Sequence, residues 1–293
     1  MSDVATGRWE LVRALGAMAD GPDAARAAGP ALALDPPGGP EHTEVFVMNL
    51  PPYASVYLGP EGALGGEGTS RVAGFWRVLG LDPPAEPDHL CALLGLYASL
   101  GDALTAARRP ATVSALSTAH AALFWEHLHP WVPPYLDAVT DLPAPALSGW
   151  ADLLRRVLAA EAARQRACPA LPLALRAAPP DGDTGLDADA GPREMAGALT
   201  VPVRSGMILT RHRLALGASR SGVGHRIGER RFTLRAMLEQ DPPATLAWLA
   251  AEASRWQRRH ESRGAGDETA RWWAARAGRT RRILHERIGC SPA

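Results

Sequence analysis

Apolar residues recur at intervals of three and four along most of this 293-residue chain. The clearest case is the stretch 90–100, LCALLGLYASL, in which leucines and a tyrosine would share one face of a helix. Alternation at period two is scarce, and the best short strand candidate is 201–203. Since 46% of the residues are hydrophobic, the chain can bury a large core. The sequence therefore predicts an all-α protein.

Local signals place the helices. A short opening helix carries Trp9 to Met18, and the Gly/Pro/Ala-rich stretch 21–42 is predicted to be a loop. The stretch 46–58 is apolar but interrupted by two prolines, so a helix–turn–helix and an extended turn both remain open. Thr69 is predicted to cap a helix that Gly80 stops. Further helices are predicted at 112–128, 148–167, 231–240, 242–263 and 267–288.

Charge divides the chain into two halves of opposite sign. Residues 1–192 contain 12 Arg and 22 acidic residues, a net charge of −10, whereas residues 193–293 contain 19 Arg and 9 acidic residues, a net charge of +10. The segment 177–193 is acidic, rich in Pro and Gly, and free of aromatic residues, which predicts a flexible linker. We therefore expect a helical domain over 1–176 and a basic, mainly helical C-terminal extension over 194–293.

Several classes of protein are disfavoured. Cys91, Cys168 and Cys290 are far apart and lack the spacing of a disulfide framework or a structural zinc site. The N-terminal residues lack the pattern of a secretory signal, and no apolar run is long enough for a membrane span. We expect a cytoplasmic protein without stable membrane insertion.

No catalytic template is complete. His127 and His129 are two residues apart and would point in different directions on a helix, while His120 lies two turns away from His127. Imidazoles at a helix end near Pro130 are therefore favoured over a metal site. The Gly-rich stretch 59–69 lacks the lysine of a phosphate-binding loop. We expect no metal and no cofactor.

The arginines of the C-terminal segment could suggest nucleic-acid binding. The same segment carries Trp272, Trp273, Ile283 and Leu284 at roughly helical spacing. This pattern favours the solvated basic face of an amphipathic helix, and we expect no nucleic-acid partner.

An ordered series of motifs resembles the TorD/DmsD/NarJ family of redox-enzyme maturation chaperones. It begins with PYASVYL at 52–58, continues through the Gly-rich loop and the helix at 69–80, and reaches EPDHL at 86–90 before the apolar helix. The segment FWEHLHPWVP at 124–133 is similar to a helix end of the same family. The resemblance covers about residues 44–165. It implies a single globular all-α domain of TorD-like architecture, here with an additional helical C-terminal extension.

The resemblance also implies a function. It is that of a non-catalytic chaperone that binds the twin-arginine signal peptide, the apo form, or both, of a molybdopterin oxidoreductase of the dimethyl sulfoxide reductase type. The chaperone holds the client for cofactor insertion before export, and acts as a monomer or homodimer. The implied partner-binding residues are Tyr57, Trp76, Gly80, Pro87, Asp88, His89, Leu90, Leu94, His127 and Trp131.

Two rival functions remain open at this stage. One is a small helical enzyme or nucleotide-dependent switch that uses Asp88, His89 and Glu126, and the other is a nucleic-acid binder that uses the Arg-rich C-terminus. For the EPDHL segment, we expect Pro87 to occupy the first helical position and Glu86 and Asp88 to lie at the positive helix N-terminus.

Overall fold

A computed structural model gives the structure of the chain, and it describes residues 2–165, 170–180, 185–186, 190–224, 228–264 and 266–289. Within these ranges the chain is helical and contains no strand, so the all-α prediction is confirmed. None of the described helices is long and apolar enough to cross a membrane. The α-helices are α1 Ser2–Asp20, α2 Pro22–Leu32, α3 Gly39–Thr43, α4 Ala54–Leu58, α5 Gly66–Val78, α6 Leu90–Ala106, α7 Pro110–Ala122, α8 Val132–Thr140, α9 Pro145–Arg164, α10 Leu173–Arg176, α11 Pro192–Leu199, α12 Pro202–Ser205, α13 Arg211–Ser221, α14 Arg230–Gln240, α15 Pro242–Glu261 and α16 Glu268–Gly289.

The chain forms two compact units. Unit 1 comprises Met1–Ser55 and Leu64–Pro172, and unit 2 comprises Val56–Ala63 and Leu173–Ala293. The predicted flexible linker at 177–193 falls partly outside the described residues, at 181–184 and 187–189. The prediction of separate domains at 1–176 and 194–293 stays a prediction.

In unit 1, α1 and α6 pack closely because small residues lie at their contact. A Cβ atom on Gly101 would lie 2.3 Å from the ring of Trp9, so a larger residue would not fit there. The indole Nε1 of Trp150 in α9 donates a hydrogen bond of 2.9 Å to the Leu15 carbonyl in α1. Both tryptophans are buried. The apolar face that the sequence predicts at 90–100 thus packs against the opening helix.

A buried carboxylate joins three helices of unit 1. Glu161 in α9 is 2% exposed and forms an ion pair with Arg8 of α1. The hydroxyl of Tyr97 in α6 donates to the same carboxylate at 2.8 Å. Arg164 lies 3.4 Å away on the next turn. These donors offset the cost of removing the Glu161 carboxylate from water. They also connect the three helices.

Two π-helical turns follow directly after α-helices in unit 1, at Glu44–Asn49 and Leu123–Leu128. The sequence leaves two structures open for residues 46–58. This stretch is the end of the first π-helical turn, then a short extended bend, and then α4. The Asn49 side chain donates to the Glu44 carbonyl at 2.9 Å and thereby closes the turn before Pro51. The second turn ends the predicted helix 112–128 shortly before Pro130.

Unit 2 is organised around the antiparallel pair α15 and α16. Gly206 has a φ of +73°, and a Cβ atom on it would lie 2.3 Å from the Ala277 nitrogen of α16. His260, which is 1% exposed, lies between the rings of Trp256 and Trp273 and contacts the Gly206 carbonyl at 3.0 Å. The segment around Gly206 is therefore built into the core of this unit.

Several local predictions were wrong. The predicted loop at 21–42 contains α2 and α3, because Pro22 and Pro40 stand in the first turns of helices, where a missing N–H costs nothing. Thr69 lies inside α5 rather than capping it, although Gly80, with a φ of +74°, follows the helix end as predicted. The strand candidate 201–203 enters α12 instead.

Candidate functional site

The Asp88 carboxylate is buried and receives two hydrogen bonds from distant parts of unit 1. Its Oδ2 accepts from the Ser55 backbone N–H at 2.9 Å, and its Oδ1 accepts from the Thr69 hydroxyl at 2.9 Å. The residue is only 2% exposed. A buried carboxylate with a donor on each oxygen is satisfied internally. Asp88 thus joins the turn before α6 to the PYASVYL segment and to α5.

Backbone hydrogen bonds reinforce this junction. The Ala54 N–H donates to the Asp88 carbonyl at 3.0 Å, and the Leu90 N–H donates to the Pro52 carbonyl at 2.8 Å. Tyr53 and His89 form an isolated antiparallel bridge. The motifs PYASVYL and EPDHL, which are about thirty residues apart in the sequence, are therefore neighbours paired through their main chains.

His89, and neither Pro87 nor Asp88, caps the apolar helix. α6 begins at Leu90, and the Nδ1 atom of His89 accepts a hydrogen bond of 3.2 Å from the Cys91 N–H. The prediction that Pro87 takes the first helical position was wrong, since the residues before Leu90 are held in an extended bend by Pro52 and Ala54. Burial lowers the pKa of His89, in keeping with a neutral ring that accepts a hydrogen bond.

Trp76, Gly80 and Pro87 come together at the end of α5. The Trp76 indole Nε1 donates to the Pro87 carbonyl at 3.4 Å, and Gly80 supplies the left-handed residue after the helix. Trp76 is partly exposed and Gly80 is exposed, whereas Pro87 is buried. This corner is the part of the predicted site that reaches the surface.

The remaining predicted residues of unit 1 lie in the interior. Leu90, Leu94 and Trp131 are each at most 1% exposed, and the Trp131 indole donates to the His127 carbonyl at 2.8 Å. The His127 ring packs against Phe75 with centroids 4.9 Å apart, and burial lowers its pKa to about 4. Their positions are those of core residues, so a surface role is not supported for these four.

Tyr57 belongs to unit 2 and is 2% exposed. Burial raises the pKa of its hydroxyl, and the positive charge of Arg230 opposes that shift. In the same unit, Arg204 donates to the Pro60 carbonyl at 3.0 Å and Arg231 to the Glu61 carbonyl at 2.6 Å. These arginines hold the loop that follows Tyr57, and with their neighbours they line an open cleft of about 320 Å³.

The junction contains residues that the sequence reasoning missed. Burial raises the pKa of the Cys91 thiol, and the negative charge of Asp20, at the end of α1, raises it further. Burial lowers the pKa of His42 and of His89, and the Asp20 charge opposes both shifts. Tyr53 packs edge-on against His89 with ring centroids 4.7 Å apart. Asp20 lies in no recognisable motif. Only the packing of α1 against α6, where a Cβ atom on Gly16 would lie 3.3 Å from the Cys91 Cα atom, brings this end of α1 near Cys91.

Exposed apolar side chains concentrate in unit 1. Seven large hydrophobic residues are exposed within the described part of the chain, and five of them lie between residues 47 and 81: Val47 at 62%, Met48 at 39%, Leu64 at 60%, Val78 at 85% and Leu81 at 43%. Val78 and Leu81 flank the Gly80 corner. The Leu81 N–H donates to the Trp76 carbonyl at 3.1 Å, which holds Leu81 at the end of α5. Adjoining exposed apolar residues are typical of a protein–protein contact surface.

Among the described residues, no cluster of three or more His, Cys, Asp or Glu side chains can hold a metal ion.

The paired motifs PYASVYL and EPDHL lie within a segment of the chain that resembles a known family. Residues 39–137 match the family model described as "Nitrate reductase delta subunit", the NarJ/TorD-like chaperone family. The predicted family is confirmed over this segment. The family is one of non-catalytic chaperones that act with molybdoenzymes of the nitrate reductase type. No curated protein matches the chain significantly.

Proposed function

We propose that the protein is a cytoplasmic chaperone that binds the twin-arginine leader of a molybdopterin oxidoreductase of the dimethyl sulfoxide reductase type and holds the apo-enzyme for cofactor insertion. The observation that carries the proposal is the exposed apolar pair Val78 and Leu81 at the corner where Trp76 contacts Pro87 of EPDHL, inside the segment that matches the family. A leader peptide joins a basic stretch to an apolar stretch, and it needs a surface with both acidic and apolar character.

The corner at the end of α5 supplies the apolar part. Val78 and Leu81 are exposed, and the partly exposed Trp76 is fixed by its bond to Pro87. Because Trp76 is already oriented, little side-chain freedom is lost when a partner packs on it. In our proposal Leu90, Leu94, His127 and Trp131 support the fold of unit 1, and Tyr57 that of unit 2, instead of touching the partner.

Binding of a leader peptide tests this function. Calorimetric titration with the twin-arginine leader of a molybdopterin oxidoreductase from the same genome is expected to show saturable binding. Val78→Glu combined with Leu81→Glu is expected to weaken binding at least roughly tenfold, because two apolar contacts are replaced by charges that must be desolvated.

Phe232→Glu is the matched control, since Phe232 is 56% exposed but lies in unit 2. It should bind the leader like the unmodified protein. If the protein binds neither the leader nor the apo-enzyme, the proposal is refuted. Equal loss in the control would show that the apolar corner is not the contact surface.

A further inference from the structure

Unit 2 contains an open cleft that the proposed leader-binding surface does not use. Its volume is about 320 Å³, and its lining comes from the loop at Pro60, the segment at Gly185, the helices α11 and α12, and the start of α14. Pockets that hold small ligands in proteins measure about 300–1,000 Å³. This cleft therefore has room for a small group or for a few residues of an extended chain.

Close packing fixes one wall of the cleft. A Cβ atom on Gly62 would lie 2.9 Å from a methyl carbon of Val201, and one on Gly185 would lie 3.5 Å from the Cβ atom of Ala198. Gly62 also has a φ of +61°, so a larger residue there would suffer both a clash and backbone strain. The loop is thus held against the residue that precedes α12.

Two arginines of the lining bind neighbouring carbonyls of this loop. The Nε atom of Arg204 donates to the Pro60 carbonyl at 3.0 Å, and the Nη2 atom of Arg231 donates to the Glu61 carbonyl at 2.6 Å. Consecutive Cα atoms are about 3.8 Å apart, so both guanidinium groups approach the same short piece of main chain. Each acceptor is a neutral carbonyl, and neither bond neutralises a positive charge.

The positive charge of Arg231 has no acidic partner among the described residues. This arginine is exposed, and it forms no ion pair with any residue in the described ranges. A guanidinium carries five N–H donors, and the bond to Glu61 uses one of them. Residues 193–293, which include both arginines, have a net charge of +10. Their field attracts anions to the cleft.

Two glutamates of the lining restrict the kind of anion that the cleft can bind. Glu61 and Glu194 are both exposed and line the same cleft. Their negative charges repel a phosphate dianion more strongly than a carboxylate, which carries a single charge. Their oxygens also accept hydrogen bonds from N–H donors, which the main chain of a peptide supplies on either side of an acidic residue. The lining therefore favours a peptide carboxylate over a phosphate.

We propose that this cleft binds an acidic side chain on an extended segment of a partner protein. Arg204 and Arg231 bind its carboxylate, and Glu61 and Glu194 accept hydrogen bonds from the adjoining main chain. The inference goes beyond the proposed function, because the leader contacts unit 1 through apolar and basic residues, whereas this cleft lies within unit 2 and takes an acidic residue.

An NMR titration of the full-length protein with three probes tests the site. The probes are acetyl-Gly-Asp-Gly amide, acetyl-Gly-Asn-Gly amide and inorganic phosphate. The Asp peptide is expected to shift the Nε–H signal of Arg231 and the amide signal of Gly197 in a saturable way. The Asn peptide should bind at least roughly tenfold more weakly, because its neutral amide cannot form charge-assisted hydrogen bonds with the arginines.

Phosphate distinguishes the two sources of an oxyanion. It is expected to bind more weakly than the Asp peptide, and Glu61→Gln combined with Glu194→Gln should tighten its binding several-fold because the repulsion is removed. Phosphate binding at least as tight as that of the Asp peptide would overturn the assignment to a carboxylate. If the Asp peptide shifts neither signal, or binds no better than the Asn peptide, the site is refuted.

Substitutions in α14 test the role of the guanidinium group. Arg231→Gln is expected to weaken binding of the Asp peptide at least roughly tenfold, and Arg231→Lys should recover only part of this loss because an ammonium ion lacks the planar arrangement of donors. Arg235→Gln is the matched control: it removes the same charge one helical turn further on, from an arginine that pairs with Glu239 at 2.7 Å. Equal weakening by the control would refute the site.

Leader binding, measured on the same protein, separates this inference from the proposed function. If the leader binds and the Asp peptide does not, the cleft site fails and the leader hypothesis stands. If the Asp peptide binds with the expected selectivity and neither the leader nor the apo-enzyme does, the leader hypothesis fails and the cleft site stands.

Discussion

At the scale of the residue, Asp88 links three chain segments through the hydrogen bonds that its carboxylate accepts. The Asp88→Ala variant is expected to lower the free energy of unfolding by about 1–3 kcal/mol, because the Ser55 N–H and the Thr69 hydroxyl lose their acceptor. Asp88→Asn should cost less, since one carbonyl oxygen remains as an acceptor. Urea unfolding measures both, with Asp82→Ala, at an exposed acid in the same loop, as the control. An Asp88→Ala variant as stable as the parent would show that these hydrogen bonds do not stabilise the fold.

A second residue-scale prediction concerns the glycines with positive φ in unit 2. Gly206 and Gly222 have φ values of +73° and +68°. Of these two, only Gly206 lies against another backbone: a Cβ atom on it would be 2.3 Å from the Ala277 nitrogen. Gly206→Ala should therefore displace α16 and unfold or strongly destabilise unit 2. Gly222→Ala, with nothing within 4 Å, should cost only about 1 kcal/mol of backbone strain. Thermal unfolding distinguishes them, and equal melting temperatures would refute the close packing.

At the scale of the element, α1 is held in unit 1 by a partly buried ion pair as well as by apolar contacts. Arg8→Ala leaves the buried Glu161 with Tyr97 and the more distant Arg164 as partners. We expect a loss of about 1–2 kcal/mol, less than for a fully buried pair because Arg8 is itself 32% exposed. Arg26→Ala, which removes a largely exposed pair with Asp23, is the control and should change stability by less than about 0.5 kcal/mol.

Hydrogen exchange shows whether the loss is local to α1. Faster exchange of α1 amides in Arg8→Ala, with α15 and α16 unchanged, is the expected pattern. Uniformly faster exchange in both units would argue against a specific role of this pair in holding α1.

At the scale of the whole molecule, buried neutral histidines make both units sensitive to acid. Burial lowers the pKa of His120 to about 4 and that of His260 to about 3, whereas an unfolded chain has a histidine pKa near 6.5. Between these values the unfolded state binds more protons than the folded state, so stability rises with pH. The stabilisation that these neutral histidines give the folded state is complete above about pH 6.5. It is lost as the pH falls from there towards about 3–4.

Urea unfolding at pH 7.5 and 4.5 checks this prediction. The midpoint should fall at the lower pH, and His260→Gln should reduce the pH dependence of unit 2, which exchange of α15 and α16 amides reports. His285→Gln, at an exposed position of α16, should leave the dependence unchanged. A His260→Gln variant with the same pH dependence as the parent would show that His260 is not the titrating group.

How far the sequence predicts the structure depends on the range of the interactions involved. The period of apolar residues predicted α6, α9, α14, α15 and α16 with small errors at their ends, because burial of one face is a local pattern. It failed for α2 and α3, where alanine, glycine and proline gave a loop-like composition to residues that helix packing makes regular.

For the candidate site, the motif order predicted the region but not the roles within it. The sequence alone determined the all-α class, the opposite charges of the two halves and the resemblance over the EPDHL region, since composition and short-range order express these directly. Only the tertiary structure decided that Asp88 faces inward, that His89 caps α6 and that Tyr53 packs on His89. The physical reason is that hydrogen bonds and burial between segments tens of residues apart depend on how the helices pack, and that packing leaves no period or spacing in the sequence.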